Sequence, residues 1–183
     1  MKLISCTIEN FGKLNNVTYD FSGECNTICE DNGWGKSTLA SFIRVMFYGF
    51  KNESKKKLVD KERNRLMPWQ KGVYGGEIVF ETGGVVYSLR RTFGKKQVDD
   101  EFLLVRKDTN VECDDFSCDI GEELFKIDAQ SFERTVFIGQ SDCVTATTDS
   151  INAKIGNLAD NTDDINNFET AVGRLTAVLN NIT

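Results

Sequence analysis

The chain has 183 residues, a formal net charge of −6 and a hydrophobic content of 40%. This length allows one domain with a sizeable core, and the composition is too apolar for a chain that stays disordered. The chain contains no histidine, which excludes Ser-His-Asp and Cys-His catalysis within these residues. A uniformly basic nucleic-acid binder is also excluded by the net charge.

No apolar run reaches the length that spans a bilayer, and the N-terminus becomes polar too soon for a signal peptide. We therefore expect a cytoplasmic protein with no membrane partner. The six cysteines should then be reduced thiols. Because their spacings do not match those of zinc sites, we expect them to be buried small side chains.

Three strands are predicted before residue 30. Residues 2–10 alternate in part, residues 17–21 place Val17, Tyr19 and Phe21 on one face, and residues 25–29 form a short apolar run. Turns at residues 10–12 and 22–24 separate these segments. Two strands before the third one distinguish this chain from a simple nucleotide kinase.

The next stretch has the layout of a phosphate-binding P-loop. A glycine turn over residues 30–35 leads into Lys36, Ser37 and an apolar helix that stops at Gly49. Backbone amides of such a turn bind polyphosphate, while the lysine reaches the β- and γ-phosphates and the serine reaches Mg²⁺. The first position of G-x-x-x-x-G-K-[ST] is here Glu30, whose carboxylate is unfavourable near phosphates unless it turns away.

Residues 51–71 hold eight basic residues and three acidic ones, whereas residues 99–123 hold ten acidic residues and two basic ones. The basic segment has no clear periodicity, so we interpret it as a surface loop. A solvated loop that aids solubility is one interpretation, and contact with nucleic-acid phosphates is the second. Contact with the bound nucleotide or with a partner domain is the third. The candidate side chains for that contact are Lys55, Lys56, Lys57, Arg63 and Arg65.

A β-rich segment follows at about residues 73–112. Residues 77–81 and 85–91 flank a turn at 82–84 and predict a hairpin, and residues 102–106 predict a further strand. Arg91 shares its strand face with apolar residues and therefore requires a partner.

The remaining chain is predicted to be largely helical. Residues 119–125 and 129–133 predict short helices, and residues 135–139 predict a buried strand that ends just before Gln140. Residues 151–182 carry a broad apolar stripe at helical spacing without a stop signal, which is typical of the start of a coiled coil.

The order of these motifs resembles the N-terminal half of an SMC-like ABC ATPase head, of the YhaN, SbcC and RecF type. The resemblance rests on Asn10-Phe11-Gly12-Lys13, on the P-loop, on the β-rich insert and on Val136-Phe137-Ile138-Gly139-Gln140. It implies an α/β P-loop NTPase lobe with an antiparallel β subdomain and a helical C-terminal tail. The lobe would span residues 1–150 and the tail residues 151–183.

The resemblance also implies roles for individual residues. The phosphates would be held by Asn32, Gly33, Trp34, Gly35, Lys36, Ser37 and Thr38. Ser37 would ligate Mg²⁺, Gln140 would reach Mg²⁺ or the attacking water, and Lys13 would lie near the base or α-phosphate of ATP. Lys36 and Gln140 would be the catalytic contributors on this lobe.

In such heads, two copies enclose two ATP molecules, and the signature motif and Walker B acids belong to a C-terminal lobe. This sequence shows neither motif, so we expect an N-terminal fragment that binds nucleotide weakly and hydrolyses it negligibly. The expected setting is DNA repair, maintenance or defence, with a second head and DNA as partners. A nucleotide-gated protein scaffold and a small P-loop kinase are the alternatives.

Overall fold

The computed structural model describes residues 1–23, 25–50 and 61–137. The chain divides into two compact units, Met1–Ala129 and Gln130–Thr183, and the sheet and the P-loop belong to the first. Within the described ranges, no helix is both long and apolar enough to cross a membrane. The predicted tail at residues 151–183 lies outside the described residues.

The described elements combine strands and helices, as the predicted α/β class requires. A 3₁₀ turn at Gln97–Asp99 precedes the fifth strand. The elements are β1 (Lys2–Phe11), β2 (Leu14–Asp20), α1 (Lys36–Tyr48), α2 (Glu62–Arg65), β3 (Gly75–Thr82), β4 (Val85–Thr92), β5 (Glu101–Arg106), β6 (Val111–Glu112), α3 (Ile120–Phe125) and α4 (Ala129–Thr135).

The strands form one antiparallel sheet in the order β2-β1-β3-β4-β5-β6. β1 pairs with β2 in a hairpin and with β3 on its other side, so Cys6 lies opposite both Tyr19 and Ile78. The predicted strands at residues 2–10, 17–21, 77–81, 85–91 and 102–106 are confirmed. The β-rich insert thus extends the sheet that the N-terminal hairpin begins.

Helix α1 covers one face of this sheet. Its inner side is apolar at helical spacing, and Phe42 meets Phe11 of β1 edge to face at a centroid distance of 5.3 Å. Phe47 makes the same kind of contact with Phe80 of β3, at 5.6 Å. Gly49 ends the helix with φ of 68°, and its N–H donates to the Val45 carbonyl. The predicted helix and its stop are therefore confirmed.

An aromatic cluster closes the end of the core near the P-loop. Phe11, Phe50, Tyr74 and Phe93 lie at centroid distances between 4.9 and 6.4 Å from one another. All four side chains are buried. Because rings this large bury much apolar area, the cluster fixes the chain entering residue 50 against the chain leaving residue 74.

The predicted strand at residues 25–29 is wrong. The described residues there form no strand, and Cys25, Asn26, Thr27 and Cys29 are exposed. A strand requires a neighbouring strand to satisfy its backbone amides and carbonyls. The six described strands pair only among themselves, so this apolar run has no such partner in the described part of the chain.

The predicted strand at residues 135–139 is wrong for its described part. Helix α4 continues through Thr135, whose hydroxyl donates to the Ser131 carbonyl, and Val136 N–H donates to the Phe132 carbonyl at 2.9 Å. Local helical bonds prevail here over the β propensity of threonine and valine. The predicted helices at residues 119–125 and 129–133 are confirmed as α3 and α4.

Two expectations about buried side chains had different outcomes. Arg91, which was predicted to require a partner, is buried, donates to the Cys118 carbonyl and stacks over Phe102 at 4.8 Å. Burial lowers its pKa to about 10. The cysteines are mostly not buried. Only Cys6 is buried among the described ones, and burial raises the pKa of its thiol to about 12.

Candidate functional site

The N-terminus of α1 is open and carries no competing negative charge. Gly35 occupies the cap position with no side chain to accept from the helix, and the first turn contains no acidic residue. The first intrahelical bond runs from Leu39 N–H to the Gly35 carbonyl at 2.8 Å. The amides of Lys36, Ser37 and Thr38 therefore lie ahead of the helical bonding pattern, where an anion can accept from them.

The P-loop packs directly against the β1–β2 turn. Gly35 has φ of 125°, and a Cβ placed on it would lie 2.9 Å from Leu14 and 3.6 Å from the Lys13 side chain. Gly12 makes a similar approach, because its Cβ would lie 3.0 Å from Thr38. Only glycine combines this backbone conformation with this proximity. The structure thus brings Lys13 beside the P-loop.

Lys36 folds back over its own loop. Its Nζ donates to the Glu30 carbonyl at 2.6 Å and to the Asp31 carbonyl at 3.0 Å. Glu30 therefore contributes a backbone oxygen to the loop, while its carboxylate is exposed. Partial burial raises the pKa of Tyr19, and the negative charge of Glu30 raises it further.

Trp34 is half-buried. Its ring meets Tyr19 of β2 edge to face at 5.7 Å. The Trp34 N–H donates to the Asp31 carbonyl at 3.2 Å, which closes the turn. The hairpin β1–β2 therefore supports the P-loop at two places, through Leu14 and through Tyr19.

A cavity of about 680 Å³ opens beside the first turns of α1. This volume falls within the range of small-molecule sites, about 300–1,000 Å³. One wall is the start of α1, another is the β1–β2 turn, and the third is the chain after α2. The lining includes Lys13, Ser37, Thr38, Arg65, Trp69 and Gln70.

Arg63 is almost fully buried, which contradicts its predicted role in binding nucleic acid. Its side chain is 4% exposed, and the guanidinium pairs with both oxygens of Asp100 at 2.6 and 2.7 Å. It also donates to the Gly94 carbonyl and lies 4.7 Å over the Phe50 ring. The fixed fork of arginine suits this arrangement, and the pair leaves the side chain unavailable to an external phosphate.

The described part of the predicted surface loop, residues 61–71, contains α2 and forms one wall of the cavity, although several of its residues are exposed. Residues 51–60 lie outside the described residues. Glu62 of α2 accepts from the buried Arg44 of α1. The Gly12 N–H donates to the Leu66 carbonyl at 2.6 Å, and the Tyr74 hydroxyl donates to the Arg63 carbonyl at 3.2 Å. These contacts hold the wall to α1, to the β1–β2 turn and to β3.

The other predicted site residues divide into two groups. Asn32 and Gly33 are exposed on the turn, Lys36 and Ser37 are exposed at the start of α1, and Arg65 is 71% exposed beside the cavity. Gln140 and the three lysines at 55–57 lie outside the described residues.

Sequence reasoning gave no site role to five residues that line the cavity: Gly12, Ser41, Leu66, Trp69 and Gln70. Ser41 lies one helical turn after Ser37 and Thr38, so helical spacing could have indicated it. Trp69 follows the chain's single proline in a segment without periodicity. No pattern in that segment indicates which side chains face the P-loop.

Comparison with known proteins gives two matches. A family model described as "AAA domain" matches residues 5–181 of this chain. A relative from Bacillus subtilis (strain 168), the "Uncharacterized protein YhaN", is 35% identical over 82 residues, which is 44% of this chain. The match covers 8% of the length of that relative.

Proposed function

This chain belongs to the AAA domain family, and we propose that it binds ATP with Mg²⁺ at residues 32–38 and serves as one half of an ATPase head. The observation that supports this most directly is the open α1 N-terminus with Lys36 and Ser37 beside a cavity of about 680 Å³. A general nucleotide-binding role follows from the family.

Each group in the site has a separate role in binding or in catalysis. The amides at the start of α1 bind the phosphates, and Lys36 exchanges its two loop carbonyls for the β- and γ-phosphates. Lys13 neutralises charge nearer the α-phosphate, since it lies against Gly35. Gln140 positions the attacking water or assists the metal, as the resemblance implies.

Mg²⁺ would be held through the Ser37 hydroxyl. Hydroxyl and phosphate oxygens are ligands that this hard cation prefers, and Ser37 is exposed where it borders the cavity. The cation supplies neutralisation of phosphate charge during phosphoryl transfer.

The site is proposed to be half of a composite one. Of the groups that phosphoryl transfer requires, the P-loop supplies phosphate and metal contacts, but no candidate catalytic acid was found in this sequence. The acid and a second phosphate-facing motif would come from a C-terminal lobe and from a partner head. The proposed setting is DNA repair, maintenance or defence.

A protein scaffold gated by nucleotide is the second candidate. The observation in its favour is the burial of Arg63, which removes one of the five cations expected to contact nucleic acid. The P-loop would work in the same way under this alternative, with a protein as the partner.

Calorimetric titration of the purified chain with MgATP and with inorganic tripolyphosphate tests the nucleotide site. Both should bind weakly, and Lys36→Ala should abolish both signals because it removes the cation that faces the phosphates. Lys95→Ala, an exposed lysine away from the cavity, is the control and should change neither affinity.

Two results would contradict the proposal. Binding that survives Lys36→Ala, or no binding of either ligand to the unaltered chain, would overturn the nucleotide site. Robust ATP turnover by this chain alone, lost in Lys36→Ala, would overturn the composite-site part and leave the nucleotide site standing.

A further inference from the structure

Trp69 is unusual among the apolar side chains of this protein. It is 97% exposed, although tryptophan is among the residues with the most apolar surface to bury. It also borders the same cavity as Ser37 and Thr38 of the P-loop helix. An unpacked indole at the rim of a phosphate-binding loop requires an explanation that packing does not supply.

The chain that carries Trp69 is firmly placed although the indole is not. Three residues earlier, the Leu66 carbonyl accepts from Gly12 N–H at 2.6 Å, and Leu66 itself is buried. Arg63 anchors the start of the same wall through its two bonds to Asp100. The wall therefore presents the indole beside the P-loop without using it in the core.

The surroundings of Trp69 define the chemistry of a ligand. Lys13 and Arg65 supply positive charge on the cavity rim, and the amides at the start of α1 supply donors for an anion. A ligand that fits has a flat aromatic group at one end and a polyphosphate at the other. Nucleobases stack on aromatic side chains through a π-face that every base has.

We propose that Trp69 is the platform on which the nucleobase stacks when a nucleotide occupies the P-loop. This inference rests on the proposed nucleotide site and adds to it how the base is held. Stacking depends on the area of the face of the base, so a purine, with its larger ring system, is bound more tightly than a pyrimidine. Trp69 is a binding residue in this account and takes no part in the chemistry.

Titration with two ligands separates the base from the phosphates. MgATP carries both groups, whereas inorganic tripolyphosphate lacks the base. Trp69→Ala should weaken MgATP about tenfold, a stacking contribution of ordinary size, and leave tripolyphosphate affinity unchanged. Trp69→Phe should restore most of the loss because it retains an aromatic face. Val98→Ala, which removes part of an 85% exposed side chain elsewhere, is the control.

The outcomes distinguish this inference from the function on which it rests. Equal MgATP affinity in Trp69→Ala and the unaltered chain overturns the stacking role, while the nucleotide site stands as long as tripolyphosphate binds. Failure of both ligands on the unaltered chain overturns both. If Trp69→Ala instead loses binding to an oligothymidylate and keeps its MgATP affinity, the platform serves a polynucleotide and the inference is wrong.

Discussion

Gly35 is the residue on which the geometry of the P-loop depends. Its φ of 125° is rare for other residues, and Leu14 occupies the space that a side chain would need. The first constraint, on φ, belongs to the backbone of the loop itself. The second comes from the β1–β2 turn.

Gly35→Ala is therefore expected to destabilise the fold by about 3 kcal/mol and to weaken MgATP binding. Urea denaturation measures the first effect and calorimetric titration the second. Gly83→Ala is the matched control, since Gly83 has φ of 58° but open space around its Cβ position. It should cost about 1 kcal/mol. Equal losses in the two variants would show that contact with Leu14 is unimportant.

Glu30 departs from the P-loop pattern with little consequence for the loop's shape. The loop uses its backbone carbonyl, which Lys36 contacts at 2.6 Å, and any residue could supply that group. Its carboxylate acts on Tyr19, whose pKa burial and Glu30 together raise. The residue that looked most unfavourable for phosphate binding thus contributes a backbone contact to the loop.

At the scale of elements, α2 is held in place by charge pairs and not by its own length. A four-residue helix is not stable alone, and this one is anchored through Arg63–Asp100 and Arg44–Glu62. Breaking a buried pair by removing one partner leaves an uncompensated charge, which is costly.

Arg63→Ala and Arg65→Ala provide a comparison between two arginines of the same short helix. Arg63→Ala should lower the free energy of unfolding by about 3 kcal/mol, because Asp100 loses its bidentate partner. Arg65→Ala should change it by less than about 0.5 kcal/mol, because the side chain is 71% exposed. Urea denaturation followed by circular dichroism measures both, and similar values would refute the assigned burial.

At the scale of the whole molecule, the charge is divided between regions. The net charge is −6, yet residues 51–71 carry a local excess of positive charge. Because Arg63 is paired with Asp100, any contact of this segment with nucleic acid must come from its other basic residues.

Replacing Lys55, Lys56 and Lys57 by glutamine should weaken DNA binding and flatten its dependence on salt, because each lost phosphate contact removes about one released counterion. Fluorescence anisotropy over a range of salt concentrations measures both effects. Replacing Lys2, Lys95 and Lys96, which are exposed lysines, is the charge-matched control and should have a smaller effect. Identical salt slopes in all three proteins would favour the scaffold alternative.

The sequence by itself determined the elements whose periodicity is local. These are the β1–β2 hairpin, helix α1 with its stop at Gly49, the β3–β4 hairpin and the order of P-loop residues at 30–38. In each case, alternation or helical spacing together with a glycine specifies the conformation within a few residues.

Only the tertiary structure decided which strands pair, which charged residues form ion pairs and which residues line the cavity. Residues 25–29 have the composition of a strand, but no described strand pairs with them. No sequence pattern distinguishes Arg63 from Arg65. Arg63 is the buried one because it pairs with Asp100, 37 residues further along the chain. Trp69 lines the cavity beside the P-loop because bonds from Gly12 and Tyr74 hold its segment there. Pairing, ion pairs and cavity walls depend on residues distant in sequence, which no local pattern encodes.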